Sequence, residues 1–200
     1  MSLTMRFPQM APYVASFVDV CHRLYTNGFV CAYDGNVSMR FDDLVLVTPT
    51  HLCKGMVKAD DLIVVDLQGN QCFGERRASS ELKVHLAIYN KKPECHAIVH
   101  AHPLYATAVY NRTRGVDTSC LMEAAMSLGN VPVVPFIEAG SQALADAVAS
   151  AMTHDVQACV LEKHGVVTAH SDLLAAYFLL ESLERLAKTE AIRAAMNLCD

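Results

Sequence analysis

Apolar positions along this chain fall into two periods, and the alternation between them predicts its elements. From about Phe7 to Thr26, Val14, Phe17, Val18, Cys21, Leu24 and Tyr25 recur at helical spacing, and Asn27-Gly28 supplies a stop. Tyr33 to Phe41 reads as a turn opening into a strand, and Leu44–Val47 is a second strand joined to it across Asp42-Asp43. Thr48-Pro49-Thr50 breaks that strand, and a loop carrying Lys54-Gly55 follows. Leu62–Asp66 is a third strand, which runs into the turn signal Gln68-Gly69-Asn70. Ser79-Ser80 then caps a helix from about Glu81 to Asn90, with Leu82, His85, Leu86 and Tyr89 along it.

Ala97 to His102 is a short apolar strand that Pro103 stops, since proline cannot donate to a ladder. A helix over roughly Leu104–Asn111 follows, and Ser119 to Leu128 fits neither period cleanly. Val131–Val134 reads as a strand and Ser141–Met152 as a helix. Ala158–Leu161 and Val166–Thr168 read as strands flanking Glu162-Lys163-His164-Gly165, and a long amphipathic helix from about Leu173 to Met196 closes the chain. Helices interleaved with hairpin-like strand pairs predict one layered α/β domain over residues 1–200, with a mixed or largely antiparallel sheet.

Composition narrows the function classes. A 52% hydrophobic and 18% charged chain of 200 residues has ample core for one domain. Its net charge of −5 argues against a nucleic-acid surface, which needs concentrated Lys and Arg. No run of about 20 apolar residues suits a membrane span, and the amino terminus lacks the pattern of a signal peptide. The cysteines (Cys21, Cys31, Cys53, Cys72, Cys95, Cys120, Cys159 and Cys199) are scattered without a C-x-x-C pair, as in a reduced, cytosolic protein.

Strand side chains alternate faces, so His100 and His102 can present two imidazoles to one point. Taken alone, such a pair also fits two half-buried strand histidines bonded to neighbours. His164, in a turn and followed by a glycine that allows close backbone approach, offers a third ligand. Glu81, in the first turn of the helix preceding the histidine strand, is the best fourth, although a carboxylate there also complements the helix dipole. His85 is its rival, one turn along the same face. Three histidines and a carboxylate suit zinc or another divalent ion. A second group, Asn36 and Ser38, Thr48 and Thr50, and Ser79 and Ser80 at a helix N-terminus, offers donors to an anion such as phosphate, or simply serves turns and caps.

Gly35-Asn36-Val37-Ser38, Thr48-Pro49-Thr50, Ser79-Ser80-Glu81, His100-Ala101-His102-Pro103 and Lys163-His164-Gly165, in that order and spacing, resemble the class II aldolase/adducin family, from about Leu24 to Lys188. The resemblance implies a three-layer α/β/α sandwich around a mainly antiparallel sheet, assembled as a homotetramer with sites at subunit boundaries. It implies zinc (or another divalent metal) on Glu81, His100, His102 and His164, and a phosphate cradle at Asn36, Thr50, Ser79 and Ser80. The activity it implies is a zinc-dependent lyase, cleaving a small ketose 1-phosphate by retro-aldol reaction to dihydroxyacetone phosphate and an aldehyde. Glu81 would double as the catalytic acid/base.

Relatives with the same site act as decarboxylases, epimerases or dehydratases of sugar or sugar-acid phosphates. Epimerases typically carry Asp where this chain has Glu81. An adducin-like interaction module, the non-enzymatic alternative, has lost the histidines that are all present here. His51 stands where the family usually has glycine, and no tyrosine stands near Met122-Glu123, which leaves Glu123 as an unassigned acid/base candidate. No lysine occupies an obvious desolvated setting in the sequence, which disfavours a Schiff-base aldolase.

Overall fold

The computed structural model describes residues 2–111 and 115–196, and within them eight strands join one sheet. They are β1 (Asn36–Phe41), β2 (Leu44–Val47), β3 (Ile63–Asp66), β4 (Gln71–Phe73), β5 (Ala97–Ala101), β6 (Val133–Val134), β7 (Ala158–Leu161) and β8 (Gly165–His170). Their order across the sheet is β4-β3-β2-β1-β5-β8-β7-β6, and every pairing is antiparallel except β6 with β7. The helices are α1 (Leu3–Arg6), α2 (Ala11–Thr26), α3 (Leu82–Lys91), α4 (Leu104–Val109), α5 (Met122–Leu128), α6 (Gln142–Ala151) and α7 (Leu173–Ala195). None is long and apolar enough to cross a membrane.

Strand alternation divides the core in two. Val37, Met39, Leu46, Val64, Val99, Val160 and Val166 bury one face of the sheet against Phe17, Val20 and Leu24 of α2 and Leu180, Leu183 and Leu186 of α7. Val45, Val47, Ile63, Ile98, Leu161 and Val167 bury the other against Val84, Ile88 and Tyr89 of α3 and Leu144 and Val148 of α6. This is the expected α/β/α sandwich around a mainly antiparallel sheet.

The first helix is shorter than its apolar period suggests. Pro8 opens a 3-10 turn over Pro8–Met10, and Pro12 stands in the first turn of α2, so the helix expected from about Phe7 begins at Ala11, and α1 is a separate turn before it. The strand expected from Tyr33 begins at Asn36, after a positive-φ Gly35. The short edge strand β4 follows the Gln68-Gly69-Asn70 turn and carries too few apolar residues to announce itself. The ambiguous stretch is a 3-10 turn, Thr118–Cys120, followed by α5. Cys199 lies outside the described residues; the other cysteines are all free.

Candidate metal centre and anion cavity

Two adjacent strand ends position the histidines. β5 and β8 pair so that Ala101 faces Val166, which brings His102, just past the end of β5, beside His164, just before β8. Gly165 makes that approach possible, because a Cβ there would stand 2.4 Å from Ala101 O and 2.6 Å from His102 Cδ2. The backbone N–H of His102 donates to Phe29 O at 2.9 Å, which ties the histidine to the segment leaving α2. The next helix, α4, is capped from a distance: Glu184 of α7 accepts from the N–H groups of Tyr105 and Ala106 at 3.0 and 2.8 Å.

The ligand nitrogens of His100, His102 and His164 lie within 4.8 Å of one another. Glu81, at the start of α3, closes the group: its Oε2 lies 3.0 Å from His100 Nε2 and its Oε1 3.1 Å from His164 Nε2. His100 Nε2 and His102 Nε2 face each other at 3.1 Å, while His100 Nδ1 donates to Val166 O at 2.9 Å. The backbone carbonyl thus fixes the His100 ring and turns Nε2 inward. Burial would raise the Glu81 carboxyl, but the charge and hydrogen bond of His100, with His164, hold it well below the carboxylate range. Burial works to lower His100, and the Glu81 carboxylate outweighs it and raises that imidazole. Burial and the neighbouring His100 and His164 push His102 down to about 3.

This donor set fits a divalent cation. Glu81 Oε1 is buried, and His164 approaches it without hydrogen-bond geometry. Two imidazole nitrogens confront each other with nothing but a proton or an ion to separate them. Three nitrogens and a carboxylate directed at one point would relieve both conditions by coordination.

His85 is not part of that point. It lies behind it, in a buried chain whose direction is set by the chemistry of its ends. Asn36 Nδ2 donates to Glu81 Oε2 at 3.0 Å, so its Oδ1 is left as acceptor, and His85 Nε2–H donates to it at 2.5 Å. His85 Nδ1 then accepts from Ser38 Oγ at 2.6 Å, and Ser38 accepts from Tyr89 OH at 2.7 Å. Burial, with the charge on His100, lowers His85 to about 3 and keeps the ring neutral.

Beside the cluster opens a cavity of about 240 Å³, lined by Asn36, Thr50, Lys54, Ser79, Ser80, Glu81, His102 and His164 among others. All four residues of the expected cradle therefore reach one space. The loop after β2 runs antiparallel to the segment before α3: Ser79 N–H donates to Thr48 O at 3.2 Å and Thr50 N–H to Arg77 O at 3.0 Å. That pairing sets Thr50 beside Ser79 and Ser80. A larger hollow of about 700 Å³ lies beside Arg6, Asp60 and Gly74, and no histidine stands on its wall.

Lys54 corrects the expectation that no lysine is desolvated. It is 1% exposed and lines the cavity, and burial pushes its ammonium below the ordinary lysine value, against the fields of Cys21, Cys53 and Asp34. Lys54-Gly55 is visible in the sequence as a loop, but only the packing of that loop reveals the buried amine. His51, three residues earlier, is exposed at φ +54°, a conformation that favours glycine, and does not line the cavity. Glu123 is exposed on α5 and does not line it either. Asp34 was also absent from the sequence expectations: its carboxylate lies 3.6 Å from His102 Nδ1.

Comparison with known proteins bears on most of the chain. The family described as Class II Aldolase and Adducin N-terminal domain matches residues 15–191. An L-fuculose phosphate aldolase of Methanococcus vannielii is 38% identical over 178 residues, covering 88% of this chain and 94% of that protein. A 3-oxo-tetronate 4-phosphate decarboxylase of Haemophilus influenzae is also 38% identical over 178 residues, covering 86% of this chain and 83% of its own length. The crystal structure of L-fuculose-1-phosphate aldolase from Thermus thermophilus superposes with a TM-score of 0.85 at 28% identity, over 94% of this chain and 96% of that one.

Proposed function

The chain belongs to the class II aldolase and adducin family, and from that premise we propose that it is a metal-dependent carbon–carbon lyase acting on a small sugar phosphate. The observation that carries the reading is the placing of two chemistries in one space: His100, His102, His164 and Glu81 converge beside a cavity walled by Thr50, Ser79 and Ser80. A divalent ion, zinc in our reading, held by those four side chains would supply Lewis acidity to a substrate carbonyl. Asn36, Thr50, Ser79 and Ser80 bind the phosphate through side-chain donors, the two serines at the start of α3, where the helix dipole favours an anion.

In the retro-aldol direction, a base takes the proton of the hydroxyl on the carbon being released. The carbon–carbon bond then breaks to give the aldehyde, and its electron pair passes to the enediolate of dihydroxyacetone phosphate. Glu81 is the residue we assign to take up that hydroxyl proton and return it to the enediolate carbon at which the bond broke, because its buried Oε1 makes no hydrogen bond that would have to be broken first. The support for cleavage of a ketose 1-phosphate is the likeness to the fuculose phosphate aldolases. The decarboxylase at equal identity supports a second reading on the same residues, loss of carbon dioxide from a 3-oxo acid phosphate. A non-enzymatic module would have no need of the converging histidines.

The test is metal content by elemental analysis on wild type and His102→Ala, followed by assay of the metal-replete protein against ketose 1-phosphates and 3-oxo acid phosphates. About one ion per chain, lost in the variant, with release of dihydroxyacetone phosphate supports the aldolase. Carbon dioxide release moves the assignment to decarboxylase, and absence of metal under replete conditions removes the site. Borohydride trapping addresses Lys54: covalent capture of substrate would replace the metal reading with a Schiff base. Our reading expects none, since Nζ already donates to Leu52 O and Tyr33 O. The free cysteines support a reducing, cytosolic compartment. The homotetramer rests on family likeness, and size-exclusion chromatography with light scattering tests it.

A further inference from the structure

Lys54 is a buried cation without an acidic partner close by. Its Nζ donates to Leu52 O at 2.7 Å and Tyr33 O at 3.3 Å. Among the described residues no carboxylate lies within 4.0 Å of it. A charge held out of water needs a counter-charge or a loss of its proton, and an ammonium has one more hydrogen than these two carbonyls use. The side chain lines the same cavity as Thr50, Ser79 and Ser80.

The loop that carries it is fixed in place. Gly55 lies so close to α2 that a Cβ would meet the Tyr25 ring at 2.5 Å. Two residues on, Val57 O accepts from His22 Nε2 at 2.9 Å. Anchored on both counts to α2, the ammonium needs little reordering to meet an incoming anion. The cradle residues themselves are neutral donors, and His51, the other basic side chain of this loop, does not line the cavity.

We propose that Lys54 is the charge partner of the substrate's phosphate monoester, completing electrostatically a cradle whose other members supply only neutral hydrogen bonds. The proposal rests on reading Thr50, Ser79 and Ser80 as a phosphate site. It makes Lys54 a specificity residue for dianionic substrates over unphosphorylated sugars.

The experiment is calorimetric titration of the full-length protein with inorganic phosphate, on wild type, Lys54→Met and Ser80→Ala. The expected result is measurable binding by wild type, weakened about tenfold or more in Lys54→Met and weakened also in Ser80→Ala. Binding unchanged in Lys54→Met but weakened in Ser80→Ala overturns the role of Lys54 and leaves the cradle standing. Absence of binding by wild type overturns both. If Lys54→Met does not fold, the ¹³Cε signal of Lys54 in the wild type, identified by its loss in Lys54→Arg, decides. Movement of that signal on adding phosphate supports the assignment, and a signal fixed under excess phosphate overturns it.

Discussion

His85 Nε2 donates to Asn36 Oδ1 at 2.5 Å, and this one bond orients the amide that faces the Glu81 carboxylate. Asn36 is 4% exposed and Ser38 fully buried, so removing the ring leaves both facing a closed cavity. His85→Ala is therefore expected to cost about 2–4 kcal/mol, from the cavity and from two polar groups left without their partner. Chemical denaturation of wild type and variant measures it, and a loss below about 1 kcal/mol would show that the chain relaxes without the ring.

The same ring sets a dependence on acid. Its pKa falls from 6.5 to about 3 on folding, so between those values the unfolded chain holds a proton that the folded chain refuses. Stability contributed by the neutral ring is present above pH 6.5 and drains away as pH falls toward 3. Replacing it with His85→Gln should flatten the slope of unfolding free energy against pH by about 1.4 kcal/mol per pH unit in that window. Parallel slopes for the two proteins would contradict the shift.

Gly165→Ala tests whether the approach of His102 and His164 depends on a missing side chain. The added Cβ meets backbone, Ala101 O at 2.4 Å, as well as the His102 ring. Backbone cannot swing aside, so the two strand ends must part. A loss of about 1–3 kcal/mol is expected, with metal affinity reduced more than in a control substitution on the far side of the sheet. Unaltered metal binding by the variant would mean that the cluster does not need this spacing.

Glu81→Gln separates the chemistry at residue 81 from phosphate binding. The amide keeps the size of the carboxylate and leaves the backbone N–H of residue 81 on Ser79 Oγ, where it donates at 3.3 Å. Turnover should fall about 10²-fold or more if residue 81 moves the proton, while affinity for inorganic phosphate holds. Steady-state rates on metal-saturated protein, with a phosphate titration beside them, check both halves.

Pattern in the sequence foreshadows the elements that carry two-period apolar runs and, among the site's parts, the convergence of His100, His102 and His164 with Glu81. His100 and His102 are separated by one residue on a strand, and Glu81 lies one helix upstream; both are local facts. What the sequence hides is long-range. Glu184 caps α4 from 78 or more positions away, and nothing in its neighbourhood on α7 announces this. His85 looks like a ligand by its helical spacing from Glu81, yet Ser38 and Tyr89 draw it into a chain of their own. Lys54 sits in a loop whose sequence gives no sign that the amine is buried, and the burial appears only once that loop is packed against α2.

Metal binding should release a proton, and the geometry says from where. His100 gives its Nδ1 hydrogen to Val166 O, so a hydrogen bond from Nε2 to Glu81 Oε2 makes the ring an imidazolium. The Glu81 carboxylate favours that state and raises the imidazole, and a cation can use Nε2 only after the proton has left. His102, held down to about 3, is already neutral near pH 7 and contributes none. Titration of the chelator-treated protein with zinc, in two buffers of different ionisation heat at about pH 7, should therefore report release of a proton from His100. In Glu81→Gln the stabilising carboxylate is gone, and this proton release should shrink. Equal heats in both buffers for the wild type would show that His100 is neutral before the ion arrives, and that the short contact between His100 and His102 has another origin.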